Sequence, residues 1–216
     1  MKRSNVFFLF KPKRIVQVLR GEGLSELVKK AIGKILCLNR FFLICLSLDE
    51  SLPDLKSKIP LIIRKVIWED LDKLREIYPE NPNSISYFSE WLKKGYYFFI
   101  ALDGEKIVGY SCNKPIDQSS SKVFSNIDGI KKSEIVEGRH PMTIPEYRGK
   151  RVYAALSTKA HNFLKEKGYK KKVALVKVNN YSARIAQRRV GFKEIALVTY
   201  LKVLGFSIFL YEKDFE

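Results

Sequence analysis

The residues best suited to chemistry surround a basic turn at positions 145–153, where the sequence reads Pro-Glu-Tyr-Arg-Gly-Lys-Arg-Val-Tyr. A strand-like apolar stretch precedes this turn, and a helix-like stretch follows it. A glycine-containing turn that opens a helix presents backbone N–H groups without helical partners, together with the positive end of the helix dipole. Such a turn can bind an anion, and it suits a pyrophosphate.

The stretches on either side of the turn predict a strand–helix–strand unit. Residues 135–144 and 173–178 read as strands, and residues 152–167 read as a helix that ends before Gly168. A unit of this length joins two parallel strands through a right-handed crossover. The sequence predicts further strands at 61–66, 96–102, 107–112, 195–204 and 206–211, and further helices at 69–77, 85–94 and 182–190.

The turn resembles the first motif of the GNAT (Gcn5-related) acyl-CoA N-acyltransferase superfamily. That motif has Arg or Gln, two variable residues, Gly, one variable residue, and then Gly or Ala. Arg148 matches its first position, whereas Arg151 and Tyr153 stand where the glycines belong. A Tyr at the second of these positions is similar to members found among cell-surface polysaccharide genes.

A second motif extends the resemblance to roughly residues 61–216. The family has Asn-x-x-Ser/Ala followed by Gly-Phe, which is similar to residues 180–184 and 191–192 of this chain. Family members with a Tyr general acid place it four residues before that Gly, where this chain has Gln187.

The resemblance implies an α/β (α+β) fold with a mixed, mostly antiparallel sheet of six to seven strands, plus a helical N-terminal extension. Its parallel pair of strands would splay around the pantetheine arm of an acyl-CoA. The implied acyl donor is acetyl-CoA, with no metal. The residues assigned to acyl-CoA binding are Met142, Thr143 and Ile144 beside the pantetheine arm, Arg148, Gly149, Lys150, Arg151, Val152 and Tyr153 around the pyrophosphate, and Asn180 of the second motif.

Acyl transfer to an amine needs a group that accepts the amine's proton. Glu137 lies eleven residues before Arg148, a spacing at which some family members keep a catalytic Glu. His140 is a second candidate, although strand alternation places it on the opposite face unless a bulge intervenes. Tyr181 could supply a phenol as the acid. Each of the three has an ordinary structural role as its alternative.

Composition limits the class of protein. The chain has 216 residues, a net charge of +17 and 46% hydrophobic residues, which is enough to fill a core and excludes global disorder. Three unclustered cysteines and two histidines support neither a disulfide framework nor a zinc site. Residues 139–189 include fourteen Lys and Arg but only two Glu, which gives this stretch a net charge of +12. This surplus predicts a polyanionic partner, with nucleic acid the least favoured because few aromatic residues are interleaved.

The first sixty residues differ from the rest, so we expect a basic amphipathic extension at 1–60 and an acyltransferase domain at 61–216. Apolar residues recur at helical spacing from Leu24 to Leu36, the run 41–46 suits a strand or a buried turn, and 51–60 reads as a linker. Residues 11–48 could pack on the domain, lie in a membrane interface, or bind a partner protein. Because no stretch is long and apolar enough to span a membrane, we expect a cytoplasmic protein, with peripheral contact at the inner membrane surface as the alternative.

Together these observations favour N-acetyl transfer from acetyl-CoA to a small primary amine, and the subfamily resemblance suggests an amino-sugar or another surface-glycan precursor. A protein or peptide N-acetyltransferase is the alternative within the enzymes. Arg151, Gln187 and the net charge suggest another class, a GNAT fold that binds membrane or RNA without catalysis. The sequence leaves the oligomeric state open.

Overall fold

A computed structural model of the chain describes residues 36–77, 84–116, 122–124, 131–203 and 206–213. These residues contain four α-helices and eight strands. The helices are α1 (Asp70–Glu76), α2 (Ser84–Lys93), α3 (Val152–Glu166) and α4 (Tyr181–Arg189). The strands are β1 (Leu36–Ser47), β2 (Ile62–Lys65), β3 (Tyr97–Asp103), β4 (Lys106–Pro115), β5 (Ile135–Thr143), β6 (Lys171–Lys177), β7 (Lys193–Val203) and β8 (Phe206–Glu212).

The chain forms two compact units. Of the described residues, those between 42 and 196 belong to one unit, and 36–41, 197–203 and 206–213 belong to the other. In the second unit, β7 and β8 pair antiparallel, and the rings of Tyr200 and Phe209 have centroids 5.1 Å apart. The larger unit includes residues 42–60, and Leu46 and Leu48 are buried in its core.

The sheet of the larger unit has the strand order β2-β3-β4-β5-β6-β1. Strands β2 to β5 are antiparallel neighbours, whereas β5 and β6 are parallel and α3 connects them. This confirms the predicted mixed α/β fold with a mostly antiparallel sheet. The described strands number eight and not six or seven, because the apolar run at 41–46 belongs to a strand, β1.

The parallel strands β5 and β6 pair only at their first residues. Their last pair is Glu137 with Val173, although β5 continues to Thr143 and β6 to Lys177. Beyond this pair the strands separate. The structure therefore has the splayed slot beside Thr143 that the family resemblance implied.

A β-bulge lies in the separated part of β5. His140 and Pro141 together oppose a single residue of β4, Ser111, and His140 has a positive φ of 42°. A bulge bends and twists its strand, and proline has no N–H to donate to a neighbouring strand. Both features favour the separation of β5 from β6.

Helix α3 packs on one face of the sheet, and α1 and α2 pack on the other. Neighbouring residues of β4 show the two faces, since Tyr110 packs with Phe88 of α2, whereas a Cβ added at Gly109 would lie 3.2 Å from Val152 of α3. Gly109 pairs with Thr143 of β5. The first turn of α3 therefore begins beside the open end of the slot.

Every helix and strand predicted from residue 61 onward is present in the described ranges, with ends that differ by up to three residues. The predicted amphipathic helix at 24–36 lies almost wholly outside the described residues. No helix in the described part of the chain is long and apolar enough to cross a membrane.

Candidate active site

The basic turn and the start of α3 form a cradle of backbone N–H groups. The first bond of the helix runs from the Ala155 N–H to the Arg151 carbonyl, at 3.1 Å. The N–H groups of Val152, Tyr153 and Ala154 precede this bond, so the helix itself offers them no acceptor. Free N–H groups and the positive end of the helix dipole are the features that suit an anion, so the anion site stays a prediction with geometry that fits it.

Two residues of the turn have left-handed backbone conformations. Gly149 has a φ of +78°, and a Cβ placed there would meet no atom within 4 Å. Arg151, which stands where the family has glycine, has φ 61° and ψ 24°. A non-glycine residue in this conformation costs about 1 kcal/mol. The Arg151 side chain is exposed.

The cradle opens into a cleft of about 1080 Å³ between the end of β5, the start of α3 and α4. The cleft is lined by Leu55, Lys58, Pro141, Met142, Thr143, Tyr147, Arg148, Gly149, Arg151, Val152, Tyr153, Ala154, Asn180, Ser182, Ala183, Ile185, Ala186, Gln187 and Arg189. Four of these residues are cationic and none is Asp or Glu. The cleft can therefore take an elongated ligand that carries negative charge at the cradle.

Eight of the ten residues assigned to acyl-CoA binding line this cleft. The two that do not are Ile144 and Lys150. Ile144 is buried, and its N–H donates to the Val108 carbonyl at 3.1 Å. The Lys150 ammonium lies 4.2 Å from the centre of the Tyr147 ring.

Two departures from the family motifs contact each other in the cleft wall. The Tyr153 hydroxyl donates to Gln187 Oε1 at 2.5 Å, and Gln187 is buried while Tyr153 is partly buried. Burial raises the pKa of Tyr153 to about 12, so the phenol keeps its proton. Asn180 has a structural role in the same wall, because its Oδ1 accepts from the Ala183 N–H at 3.2 Å and caps α4.

The bulge in β5 brings two candidate proton acceptors to one face of the strand. Glu137 and Arg139 pair with β4 residues on the face that α1 and α2 cover. The extra residue in the bulge also turns His140 to this side, where its ring stacks on Trp91 of α2 with centroids 6.0 Å apart and an interplanar angle of 8°. Simple alternation places His140 on the other face, so the bulge decides its position.

The surroundings of Glu137 and His140 favour the neutral form of each. Burial raises the pKa of Glu137, and the positive charges of Arg139 and Lys114 oppose this change. The Glu137 Oε1 lies 3.1 Å from Arg139 Nε. Burial and then the Arg139 charge lower the pKa of His140, which leaves a neutral imidazole at pH 7 that can accept a proton.

Tyr181 lies apart from these two residues. Its side chain is 67% exposed at the start of α4, and its ring centre lies 5.7 Å from the Arg184 guanidinium. None of the three candidates, Glu137, His140 and Tyr181, is among the residues that line the cleft. The structure therefore brings Glu137 and His140 together on β5 and does not bring Tyr181 to them.

Sequence reasoning missed three groups at the site. Trp91 is one residue of a predicted helix, and no motif distinguishes it. Leu55 and Lys58 line the cleft from a segment that reads as a linker. The alternation of apolar and charged residues in this segment is the only sequence signal that it packs against the rest of the domain.

Comparison with known proteins agrees with this geometry. The sequence model of the acetyltransferase (GNAT) family matches residues 63–192. No curated protein matches the chain in sequence.

Three solved structures share the fold. A Drosophila protein is 13% identical, covers 84% of this chain and has a TM-score of 0.56; this chain spans 57% of it. An N-acetyltransferase from Staphylococcus aureus is 16% identical over 68% of this chain and 99% of its own, with a TM-score of 0.51. AAC(6')-Iy, solved with a bisubstrate analogue of CoA, is 17% identical over 63% of this chain and 92% of its own, with a TM-score of 0.52. The family match covers more than half of the residues, and the chain belongs to the acetyltransferase (GNAT) family.

Proposed function

We propose that this protein transfers an acetyl group from acetyl-CoA to a primary amine. One observation carries the proposal: a single open cleft is lined both by the backbone cradle of α3 and by the end of β5, where β5 no longer pairs with β6. An acyl-CoA needs both features, because its diphosphate is anionic and its pantetheine arm is narrow and carries amide groups.

Backbone groups would do most of the donor binding. The N–H groups of Val152 and Tyr153 would bind the diphosphate, with Arg148 and Arg151 adding positive charge. Beyond Glu137, no strand in the described ranges pairs with the β6-facing edge of β5, so its backbone groups could pair with the arm as a neighbouring strand would.

The chemical step is attack of the amine nitrogen on the thioester carbonyl. A C–N bond forms, the C–S bond breaks, the nitrogen loses a proton, and the thiolate leaves. A lysine-like amine with a pKa near 10.4 requires roughly 4.6 kcal/mol to lose its proton at pH 7 before it can attack, and an amine of lower pKa requires less. Neutral His140 would accept the proton, directly or through a water, and Glu137 would take the same role when it is ionised.

We propose an amino-sugar or another glycan precursor as the acceptor. The rings of Trp91 and His140 stack on each other on the strand face that also holds Glu137, and aromatic surface of this kind could contact the apolar face of a sugar ring. The resemblance of Tyr153 to members found among polysaccharide genes points to the same substrate class.

An assay of CoA thiol release with a panel of amines tests this proposal. We expect acetyl-CoA turnover with amino-sugars at a rate above that with lysine-containing peptides. The His140→Asn variant should lose most of this turnover, whereas Glu166→Gln, an exposed carboxylate at the end of α3, should keep it. A chain that binds acetyl-CoA but releases no thiol with any amine would contradict the catalytic function.

A further inference from the structure

A short segment before β2 lies against the start of α3. We call residues 53–58 the strap. The Leu55 N–H donates to Thr158 Oγ1 at 3.3 Å, and the Thr158 hydroxyl lies 3.4 Å from the Pro53 carbonyl, so α3 holds the strap at one end. The Leu55 side chain packs with the core beneath α3. The strap is therefore an attached part of the cleft wall.

The other end of the strap is bonded to the cradle itself. The Lys150 carbonyl accepts from the Lys58 N–H at 3.0 Å and from the Ser57 hydroxyl at 3.1 Å. In a trans peptide the C=O and N–H groups point in opposite directions. Because the Lys150 carbonyl faces the strap, the N–H of Arg151 points away from it, and in the described part of the chain no backbone carbonyl accepts from this N–H.

These bonds bring the cation of Lys58 to the phosphate end of the cleft. The Lys58 side chain is exposed, lines the cleft, and has no ion-pair partner within the described chain. Arg148 and Arg151 line the same end, and no carboxylate does. Lys56, two residues earlier, lines a different groove on the other side of the strap.

We propose that Lys58 binds the diphosphate of the acyl-CoA from outside the family motif. The inference rests on the proposed function, since it names a further residue for the same ligand. The diphosphate is the group in reach because the Lys58 backbone is bonded to Lys150, two residues before α3 begins. A phosphate on the ribose would lie farther from the cradle.

Titration calorimetry on the full chain tests the proposal, with CoA and dephospho-CoA as ligands at one fixed salt concentration. Lys58→Gln should raise the Kd of both ligands by about fivefold, the effect of one exposed charge-assisted hydrogen bond. Lys56→Gln makes the same change in net charge and should alter either Kd by less than about twofold.

The outcomes separate the inference from the proposed function. Equal effects of the two variants would show a general charge effect and overturn the role of Lys58. A loss of affinity for CoA alone, with dephospho-CoA unchanged, would move Lys58 to the ribose phosphate and overturn the diphosphate contact. A wild-type chain that binds neither ligand would contradict the proposed function, and the inference with it.

Discussion

Lys172 is a buried lysine without an acidic partner in the described part of the chain. It lies on β6, is 3% exposed, and its ammonium nitrogen is 3.4 Å from His161 Nε2 on α3. Burial lowers its pKa from 10.5 to about 7, with a small opposing effect from Cys112. The native protein must therefore hold this lysine in its neutral form, or accept the cost of a buried charge, near pH 7.

The size of this effect follows from the difference between the native and unfolded pKa of Lys172. Between pH 7 and 10.5 the unfolded chain keeps the Lys172 proton and the native chain releases it, so the free energy of unfolding rises with pH across this range. A tenfold change in a proton-binding constant corresponds to about 1.36 kcal/mol. The lowered pKa of Lys172 therefore destabilises the protein at pH 7 by about 4 kcal/mol as an upper bound.

Replacing Lys172 with Met should remove this destabilisation. Methionine fills a similar volume, but the lost hydrogen bond to His161 and the imperfect packing each lower the free energy of unfolding by about 1 kcal/mol. We therefore expect Lys172→Met to stabilise the protein by about 2 kcal/mol at pH 7. The gain should shrink as the pH rises to 8.5, and urea unfolding at pH 7, 7.75 and 8.5 would measure both effects.

A control on the same strand separates burial from charge. Lys177 is exposed at the end of β6, and Lys177→Met should change the free energy of unfolding by less than about 0.5 kcal/mol. The reasoning is refuted if Lys172→Met is less stable than the wild type at pH 7. It is also refuted if Lys172→Met and the wild type differ in free energy of unfolding by the same amount at all three pH values.

Three further predictions concern other residues. Glu137→Gln should slow acetyl transfer by about 10²-fold and should remove the contribution of Glu137 to the acidic limb of the pH–rate profile, leaving the contribution of His140. The raised pKa of Glu137 places its contribution above pH 4.5, and an unchanged profile would exclude Glu137 as a base. Arg151→Gly should raise the free energy of unfolding in urea by up to about 1 kcal/mol, because glycine adopts a φ of 61° freely; a loss of stability would contradict this. Asp70→Asn should lower the free energy of unfolding by about 2 kcal/mol at pH 7. Burial raises the pKa of Asp70, but two hydrogen bonds from Arg64 and one from the Ile67 N–H outweigh burial and lower it. The wild-type advantage, followed by thermal melting, should be complete above pH 3.8, the ordinary carboxyl value, and vanish as the pH falls through the lowered native pKa.

The sequence predicted those parts of the fold that local patterns determine. Gly168 and Gly191 follow the ends of α3 and α4, and the apolar pattern of residues 135–178 identifies the strands and the helix of the βαβ unit. The cradle was predicted for the same reason, since a basic Gly turn at the start of a helix is a local feature.

Features that depend on tertiary contacts could not be read in this way. The run at 41–46 is short and apolar, which fits a strand or a buried turn equally, and only its neighbours in the sheet decide between them. Lys172 sits in a run of three lysines that reads as a solvated surface, yet strand alternation and α3 bury the third of them. The strap reads as a linker because its hydrogen bonds go to residues about one hundred positions away.

The contact between Tyr153 and Gln187 gives a physical account of two motif departures. Separately, each removes a residue that the family uses. In the structure the Tyr153 phenol reaches Gln187 on the neighbouring helix, so the two substitutions form one hydrogen-bonded pair in the cleft wall. A comparison of single motif positions cannot detect such a pair, because its members are 34 residues apart.

The central claim is that the cradle and the slot together bind CoA. A crystal structure of the chain with CoA tests this most directly. The account predicts the diphosphate within hydrogen-bond distance of the Val152 and Tyr153 N–H groups, with the thiol between β5 and β6. A diphosphate bound elsewhere, or a slot closed by the Arg151 guanidinium, would contradict it.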